Sequence, residues 1–137
     1  MNRLVDRRLD PSGAFNWLAQ RIEQPVCSNS GRVLSGQLGQ RLIRARYFVT
    51  GLTVALTLDR PLAQAAEACL LLATTPEACD DSVYSADNRL WLLRRYPERL
   101  LASELDLLIK QQQTLAALLA VPPVNASPSP PLSVKYA

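Results

Sequence analysis

A strict alternation of apolar and polar side chains in the middle of the chain constrains the fold more than any other feature. Its apolar positions are Leu52, Val54, Leu56 and Leu58, and the positions between and after them are Thr53, Ala55, Thr57 and Asp59. Successive side chains of a β-strand point to opposite faces, so this pattern predicts a strand with one buried face. The stretch before it alternates too, with Ile43, Ala45, Tyr47 and Val49 on one face and Arg44 and Arg46 on the other. The two stretches predict neighbouring antiparallel strands.

A second pair of strands is predicted nearer the C-terminus. Residues 82–86 and 89–94 flank Asp87 and Asn88, a pair that tolerates the left-handed backbone of a tight hairpin turn. Residues 90–93 are four apolar residues in succession, so strand alternation sends two of them to the face opposite the core. That second face needs a cover, which the middle helix, the tail or another polypeptide can supply.

Three helices are predicted around these strands. The first begins at residues 10–12, where aspartate, proline and serine suit a helix start, and it ends at Pro25. The second begins at Asp59, is stopped by residues 74–76, and has an apolar stripe made of Leu62, Ala65, Ala66, Cys69, Leu70 and Ala73. The third begins at residues 103–106, which resemble a capping box with Asp106 in place of the usual glutamate.

The order of these elements predicts an α+β fold with an antiparallel sheet and with N-terminal, middle and C-terminal helices. Before the middle helix we expect two or three strands, because Gly36 and Gly39 interrupt the alternation that starts at Gly31. Residues 1–120 are expected to form one domain, with the first nine residues as a loose leader. Residues 121–137 hold five of the ten prolines, which predicts a disordered Pro/Ser-rich tail.

The chemical groups that most enzymes use are scarce. The chain has no histidine, which removes the commonest general base and the commonest metal ligand. Its glycines lack the spacing of a phosphate-binding loop. Its three cysteines, Cys27, Cys69 and Cys79, form no Cys-x-x-Cys pair and are interpreted as small buried or half-buried thiols. We therefore predict a protein that is not an enzyme, with no catalytic residues, no metal and no cofactor.

The chain also lacks the usual signals for membrane insertion and export. No apolar run approaches the roughly 20 residues of a membrane-spanning helix. The first ten residues carry five charges where a secretory signal needs an apolar stretch. We therefore expect a cytoplasmic protein without a membrane partner.

A basic cluster on the predicted sheet leaves an alternative function open. Its members, with the aromatic residues beside them, are Arg41, Arg44, Arg46, Tyr47 and Phe48. Arginines can pair with phosphates and aromatic rings can stack on bases, so the cluster is interpreted as a solvated strand face, a surface for an acidic protein or a nucleic-acid site. The alternative function is a basic nucleic-acid-binding transcriptional regulator, in which the three arginines converge with Arg94 and Arg95. The net charge of +3 permits such a partner but does not argue for one.

Three segments together resemble the class I type III secretion chaperones. They are residues 46–62 (RYFVTGLTVALTLDRPL), residues 88–97 (NRLWLLRRYP) and residues 104–119 (ELDLLIKQQQTLAALL). The resemblance covers residues 14–120 and lies in the order, length and hydrophobic pattern of the elements. It implies a first helix, a strand meander, a second helix that interrupts the sheet, and a final helix.

The resemblance also implies a function. It implies a chaperone or chaperone-like regulator of a bacterial type III secretion system, which binds and sequesters a partner protein. Family members mostly dimerise through the middle helix and a neighbouring strand, here Leu62–Ala73 and Arg89–Arg94, and bind an extended substrate segment on apolar patches. Effector chaperones of this class are usually acidic, whereas this chain is basic. A role like that of the regulators of Hrp secretion clusters, which pair with a second chaperone-like protein, is therefore a rival expectation.

The expected partner is thus a secretion substrate or a second chaperone-like regulatory protein, in a homodimer or a heterodimer. The partner-binding surface is expected to be apolar and to combine the middle helix with the strand before the last helix. Its predicted residues are Leu62, Ala66, Leu70, Trp91 and Leu93. Trp91 is interpreted either as an anchor of the core or, if it faces outwards, as the centre of the interface.

Overall fold

The computed structural model describes residues 7–28, 30–78 and 80–120, and it confirms the predicted α+β fold. The helices are α1 (Pro11–Ala19), α2 (Ala65–Ala73) and α3 (Ala102–Leu118). The strands are β1 (Arg8–Leu9), β2 (Glu23–Ser28), β3 (Val33–Leu38), β4 (Arg41–Phe48), β5 (Gly51–Thr57), β6 (Asp81–Ala86), β7 (Arg89–Tyr96) and β8 (Leu100–Leu101). The predicted tail, residues 121–137, lies outside the described residues.

Six of these strands form one antiparallel sheet in the order β2-β3-β4-β5-β7-β6. The chain leaves the sheet after β5 to form α2 and returns as β6 at the outer edge, so β5 pairs with β7. Strands β1 and β8 pair separately and tie the segment before α1 to the start of α3. The prediction of a loose leader is wrong for Arg8 and Leu9, because Arg8 pairs with Leu101 and Leu9 is buried in the core.

All three helices pack on one face of the sheet, called the helix face here. The alternation that predicted β5 places Leu52, Val54 and Leu56 on this face, where they are buried with residues of α1 and of the first half of α3. A second cluster joins α2, β7 and the end of α3, and it contains Ala68, Leu90, Leu92, Leu115 and Leu119. The sheet is therefore covered along one side.

The opposite side of the sheet is called the open face here. Strand register places Arg44 and Arg46 of β4 on it, beside Ala55 and Thr53 of β5. Next to these lie Leu93 and Arg95 of β7, with Trp91 one step along the same strand. Alternation thus confirms the prediction that two of residues 90–93 face away from the helices.

The boundaries of α1 and α2 differ from those predicted. Helix α1 ends at Ala19, and Pro25 lies inside β2, an edge strand that the sequence did not predict. Proline has no N–H to donate to a neighbouring strand. An edge strand tolerates proline because one of its sides has no strand partner. Helix α2 begins after a 3-10 turn at Leu62–Gln64, and Asp59 does not cap it but pairs with Arg41 instead.

The turns show one confirmation and two corrections. Asp87 and Asn88 both have left-handed backbone angles, with φ of 52° and 63°, as the predicted hairpin requires. Val49, predicted to continue the buried face of β4, lies in the turn after it and is 88% exposed. At the start of α3, Glu104 accepts the hydrogen bond from the Leu101 N–H at 2.8 Å, so the predicted role of Asp106 in a capping box is wrong.

Gly36 lies within β3 and does not interrupt it. Ile22, just before β2, packs directly over its Cα atom, and a Cβ added there would lie 2.1 Å from Ile22 Cγ2. A glycine in this position is therefore a requirement of close packing between the chain entering β2 and strand β3. Among the described residues, no helix has the length and apolar character needed to cross a membrane.

Candidate functional site

The five residues predicted to bind a partner lie on two separate surfaces. Leu62, Ala66 and Leu70 belong to α2 and the turn before it, which lie on the helix side of the sheet. Trp91 and Leu93 lie on the open face of β7, because Leu90 and Leu92 between and beside them face the helices. The structure therefore does not bring the predicted residues together on one surface.

The first surface is the outward side of α2. The helix rests on the sheet through the small side chain of Ala68, which is fully buried, so most of its larger side chains point outwards. Leu70 is 68% exposed, Leu71 is 42% exposed and Leu62 is 40% exposed. We define the α2 face as the exposed residues Leu62, Ala66, Cys69, Leu70 and Ala73. They follow one another at helical spacing and form a continuous apolar stripe.

The α2 face continues into an open edge of the sheet. A hollow of about 550 Å³ lies between α2 and β6, and its lining includes Cys69, Leu72, Ala73, Pro76, Ser82 and Val83. In the described part of the chain, β6 pairs only with β7, so its outer backbone groups have no strand partner. An edge of this kind can pair with another polypeptide, and the neighbouring apolar helix adds side-chain contacts.

The second surface is the open face, where Trp91 is covered by side chains of the same chain. Its side chain is almost fully buried, and its indole N–H donates a hydrogen bond to the Ala86 carbonyl at 2.9 Å. The Arg44 guanidinium lies 4.6 Å from the centroid of the Trp91 ring, and Tyr84 stacks on the ring at 6.3 Å between centroids. An ion pair with Asp87 holds Arg44 in place. Side chains of the sheet itself, and not the middle helix, thus cover Trp91 within the described residues.

A groove of about 270 Å³ runs beside this cover. Its apolar lining includes Val26, Leu42 and Trp91, and its charged lining includes Glu23, Arg44, Asp87 and Arg89. Val26 is 61% exposed and Leu42 is 39% exposed. Sequence reasoning missed Val26 because β2 was not predicted. The only local signal for that strand was the short apolar pair Val26 and Cys27, which follows a proline.

The five arginines of the alternative function do not converge. Arg94 is buried on the helix face and pairs with Asp81. Arg41 pairs with Asp59, which follows β5, and its Nη2 lies 3.4 Å from Asp59 Oδ2. Arg44, Arg46 and Arg95 share the open face. The open face therefore carries part of the basic cluster predicted from the sequence.

A network of buried polar groups joins α3 to the sheet. The amide of Gln112 donates to the carbonyls of Val54 and Leu92 at 2.9 and 3.1 Å, and its oxygen accepts from the Tyr96 hydroxyl at 2.6 Å. Burial raises the pKa of the Tyr96 hydroxyl. The hydrogen bond to Asp81 raises the pKa of Arg94. Each of these side chains is bonded within the chain, so we assign the network a structural role.

The cysteines differ from their predicted environment. Cys27 and Cys69 are exposed free thiols, so the interpretation as buried or half-buried thiols is wrong for both, and Cys79 lies outside the described residues. No three cysteine, aspartate or glutamate side chains in the described ranges are grouped so as to hold a metal ion. Comparison of the chain with protein-family models, with curated proteins and with solved structures found no match.

Proposed function

We propose that the protein binds another polypeptide through the α2 face and the adjoining edge of β6. In this proposal it acts in the cytoplasm as a chaperone or chaperone-like regulator of a bacterial type III secretion system. The partner is a secretion substrate or a second chaperone-like regulatory protein, which the protein sequesters. The observation that carries the proposal is the exposed apolar stripe on α2, with Leu70 68% exposed at its centre.

The energetics favour a covered α2 face. Burying one leucine side chain stabilises a complex by roughly 1.5–3 kcal/mol, and Leu62 and Leu70 are both available. Cys69 and Ala73 of the α2 face also line the hollow beside Ser82 and Val83 of β6, so one partner segment can gain backbone hydrogen bonds at the β6 edge as well as apolar contacts. A partner that uses both features is a polypeptide rather than a small molecule.

The order of elements supports the more specific part of the proposal. Helix α1 precedes the strands β2 to β5, α2 interrupts the sheet, and α3 closes the chain after β7 and β8. This is the order that the resemblance to the type III secretion chaperones implies. The net charge of +3 keeps the regulator as a rival to the chaperone within the proposal, because effector chaperones of this class are usually acidic.

The test compares two leucines with equal exposure. Leu70 on α2 and Leu107 on α3 are each 68% exposed, so replacing either with aspartate adds one surface charge in a similar setting. Light scattering on the purified proteins reports self-association. A pull-down from a host that expresses its secretion system, followed by mass spectrometry, reports heterologous partners.

We expect Leu70→Asp to abolish either the dimer or the capture of a secretion substrate or chaperone-like protein. Leu107→Asp should leave both unchanged, and circular dichroism should show both variants folded. The proposal is overturned if the parent chain is monomeric and captures no such protein, or if the two variants behave alike.

A further inference from the structure

We infer that the open face carries a second binding site, which takes an acidic segment of a polypeptide between Arg46 and Arg95. Both arginines are exposed, and Thr53 of β5 pairs with Arg46 on one side and with Arg95 on the other. The three residues therefore form one row across the sheet. Two strand spacings place the backbones of the arginines about 10 Å apart. This site lies across the sheet from α2 and does not rest on the proposed function.

Neither arginine is neutralised within the described residues. The ion pairs found there engage other cations, namely Arg41, Arg44, Arg94 and Lys110. The Arg46 guanidinium instead lies 5.5 Å from the centroid of the Phe48 ring. A planar guanidinium matches a carboxylate in a pair of parallel hydrogen bonds, so the row offers two carboxylate positions.

A hollow with both apolar and polar residues in its lining adjoins this row. Its volume is about 190 Å³, and its lining is Phe48, Thr50, Gly51, Leu52, Thr53, Arg95 and Tyr96. Phe48 is 44% exposed, so it presents part of its ring to an occupant. The hollow suits one apolar or aromatic side chain. The ligand chemistry is therefore a polypeptide segment in which carboxylates flank an apolar residue.

The rest of the open face favours a short acidic polypeptide over a nucleic acid. A protein that binds duplex DNA tightly neutralises on the order of 6–10 phosphates, which requires a longer basic track. Glu23 lines the groove on the same face and would repel a phosphate backbone long enough to extend from the row into that groove, whereas a short acidic segment held at the row need not reach it. Trp91 is buried and does not offer its ring for stacking on a base.

The experiment measures peptide binding to the full-length protein by fluorescence anisotropy. The probe is a fluorescein-labelled peptide in which pairs of glutamates flank one phenylalanine, and the matching peptide has glutamine in place of glutamate. An oligothymidine and phosphatidylserine vesicles serve as competitors. Titrations at about 0.05 M and about 0.5 M salt report the electrostatic share of the affinity.

The variants separate this site from general charge effects. Arg46→Glu with Arg95→Glu reverses both charges of the row, and Arg46→Gln with Arg95→Gln removes both charges while keeping a polar side chain at each position. Arg7→Glu with Arg8→Glu is the control for the glutamate row variant, because it changes the net charge by the same amount at two exposed arginines elsewhere. Leu70→Asp tests independence from the α2 face.

We expect the parent chain to bind the glutamate peptide, and both row variants to bind it about tenfold or more weakly. The Arg7/Arg8 and Leu70 variants should bind like the parent, and the glutamine peptide should not bind. The inference is overturned if the parent does not bind the peptide or if the row variants bind it unchanged. It is also overturned if the oligonucleotide or the vesicles bind more tightly than the peptide through the same two arginines.

Discussion

Asp81 and Arg94 are direct partners across the β6–β7 hairpin, and their ion pair is buried. Arg94 Nη2 lies 2.8 Å from Asp81 Oδ2, and its Nε bonds the other carboxylate oxygen. Arg94 Nη1 also donates to Gln111 Oε1 of α3 at 2.8 Å. The pair therefore links the hairpin to the last helix, on the side of the sheet away from the open face.

Breaking this pair should destabilise the fold strongly. Asp81→Asn removes the negative charge and leaves the Arg94 guanidinium buried without its counter-ion, which costs about 3–5 kcal/mol of unfolding free energy. Urea denaturation gives the value. Asp80→Asn is the control, since Asp80 is exposed beside it and its change should stay within about 0.5 kcal/mol. Equal effects at the two positions would contradict the buried pair, as would a negligible effect of Asp81→Asn.

The burial of Tyr96 leads us to expect a lower unfolding free energy at alkaline pH. Its pKa is raised by burial, so the neutral hydroxyl is favoured in the folded state. This contribution is fully present below the unfolded pKa of about 10 and is lost as pH rises above that value. Unfolding free energies measured from neutral pH to above about pH 10 should fall less steeply in Tyr96→Phe than in the parent chain. At neutral pH the variant should be about 1–3 kcal/mol less stable, because Gln112 Oε1 loses its donor.

The sequence predicted the elements whose pattern is set by the chain itself. The alternation around Val54 and the turn at Asp87 and Asn88 depend on neighbours in sequence, and both were confirmed. Strand β2 depends on its pairing with β3, and the role of Gly36 depends on a contact with Ile22 from an earlier part of the chain, so the local pattern wrongly indicated a break at Gly36. In this region, contacts between residues far apart in the sequence determine the structure.

The candidate site was predicted in part for the same reason. The stripe of α2 follows from helical spacing, and the structure leaves Leu62, Ala66 and Leu70 exposed on it. The sequence did not show that Trp91 would face away from α2 and be covered by Arg44, because that arrangement depends on the pairing of β4 and β7 through β5. The order of the strands in the sheet cannot be predicted from the pattern of apolar residues alone.

Helix α2 offers a test of which of its faces is docked on the sheet. Ala68 is fully buried against the second core cluster, whereas Ala66 on the same helix is exposed. Ala68→Leu should lower the unfolding free energy by about 1–3 kcal/mol through overpacking. Ala66→Leu should change it by less than about 0.5 kcal/mol. Thermal or urea unfolding distinguishes the two, and the reverse order of effects would show that α2 is rotated about its axis.

The cover over Trp91 predicts a spectroscopic change when Arg44 is removed. The Arg44 side chain is held between the indole ring and Asp87, so Arg44→Ala uncovers one side of the ring. The loss of a cation–π contact near the surface should cost about 0.5–1 kcal/mol of unfolding free energy. Trp91 emission should move to longer wavelength, and iodide should quench it more strongly.

The measurement is made with Trp17→Phe as background, because Trp17 is the only other tryptophan. Arg46→Ala is the matched control, since its guanidinium lies over Phe48 and its removal should leave Trp91 emission unchanged. An Arg44 variant with the emission and iodide quenching of its background would show that Tyr84 and the neighbouring strands suffice to cover the ring.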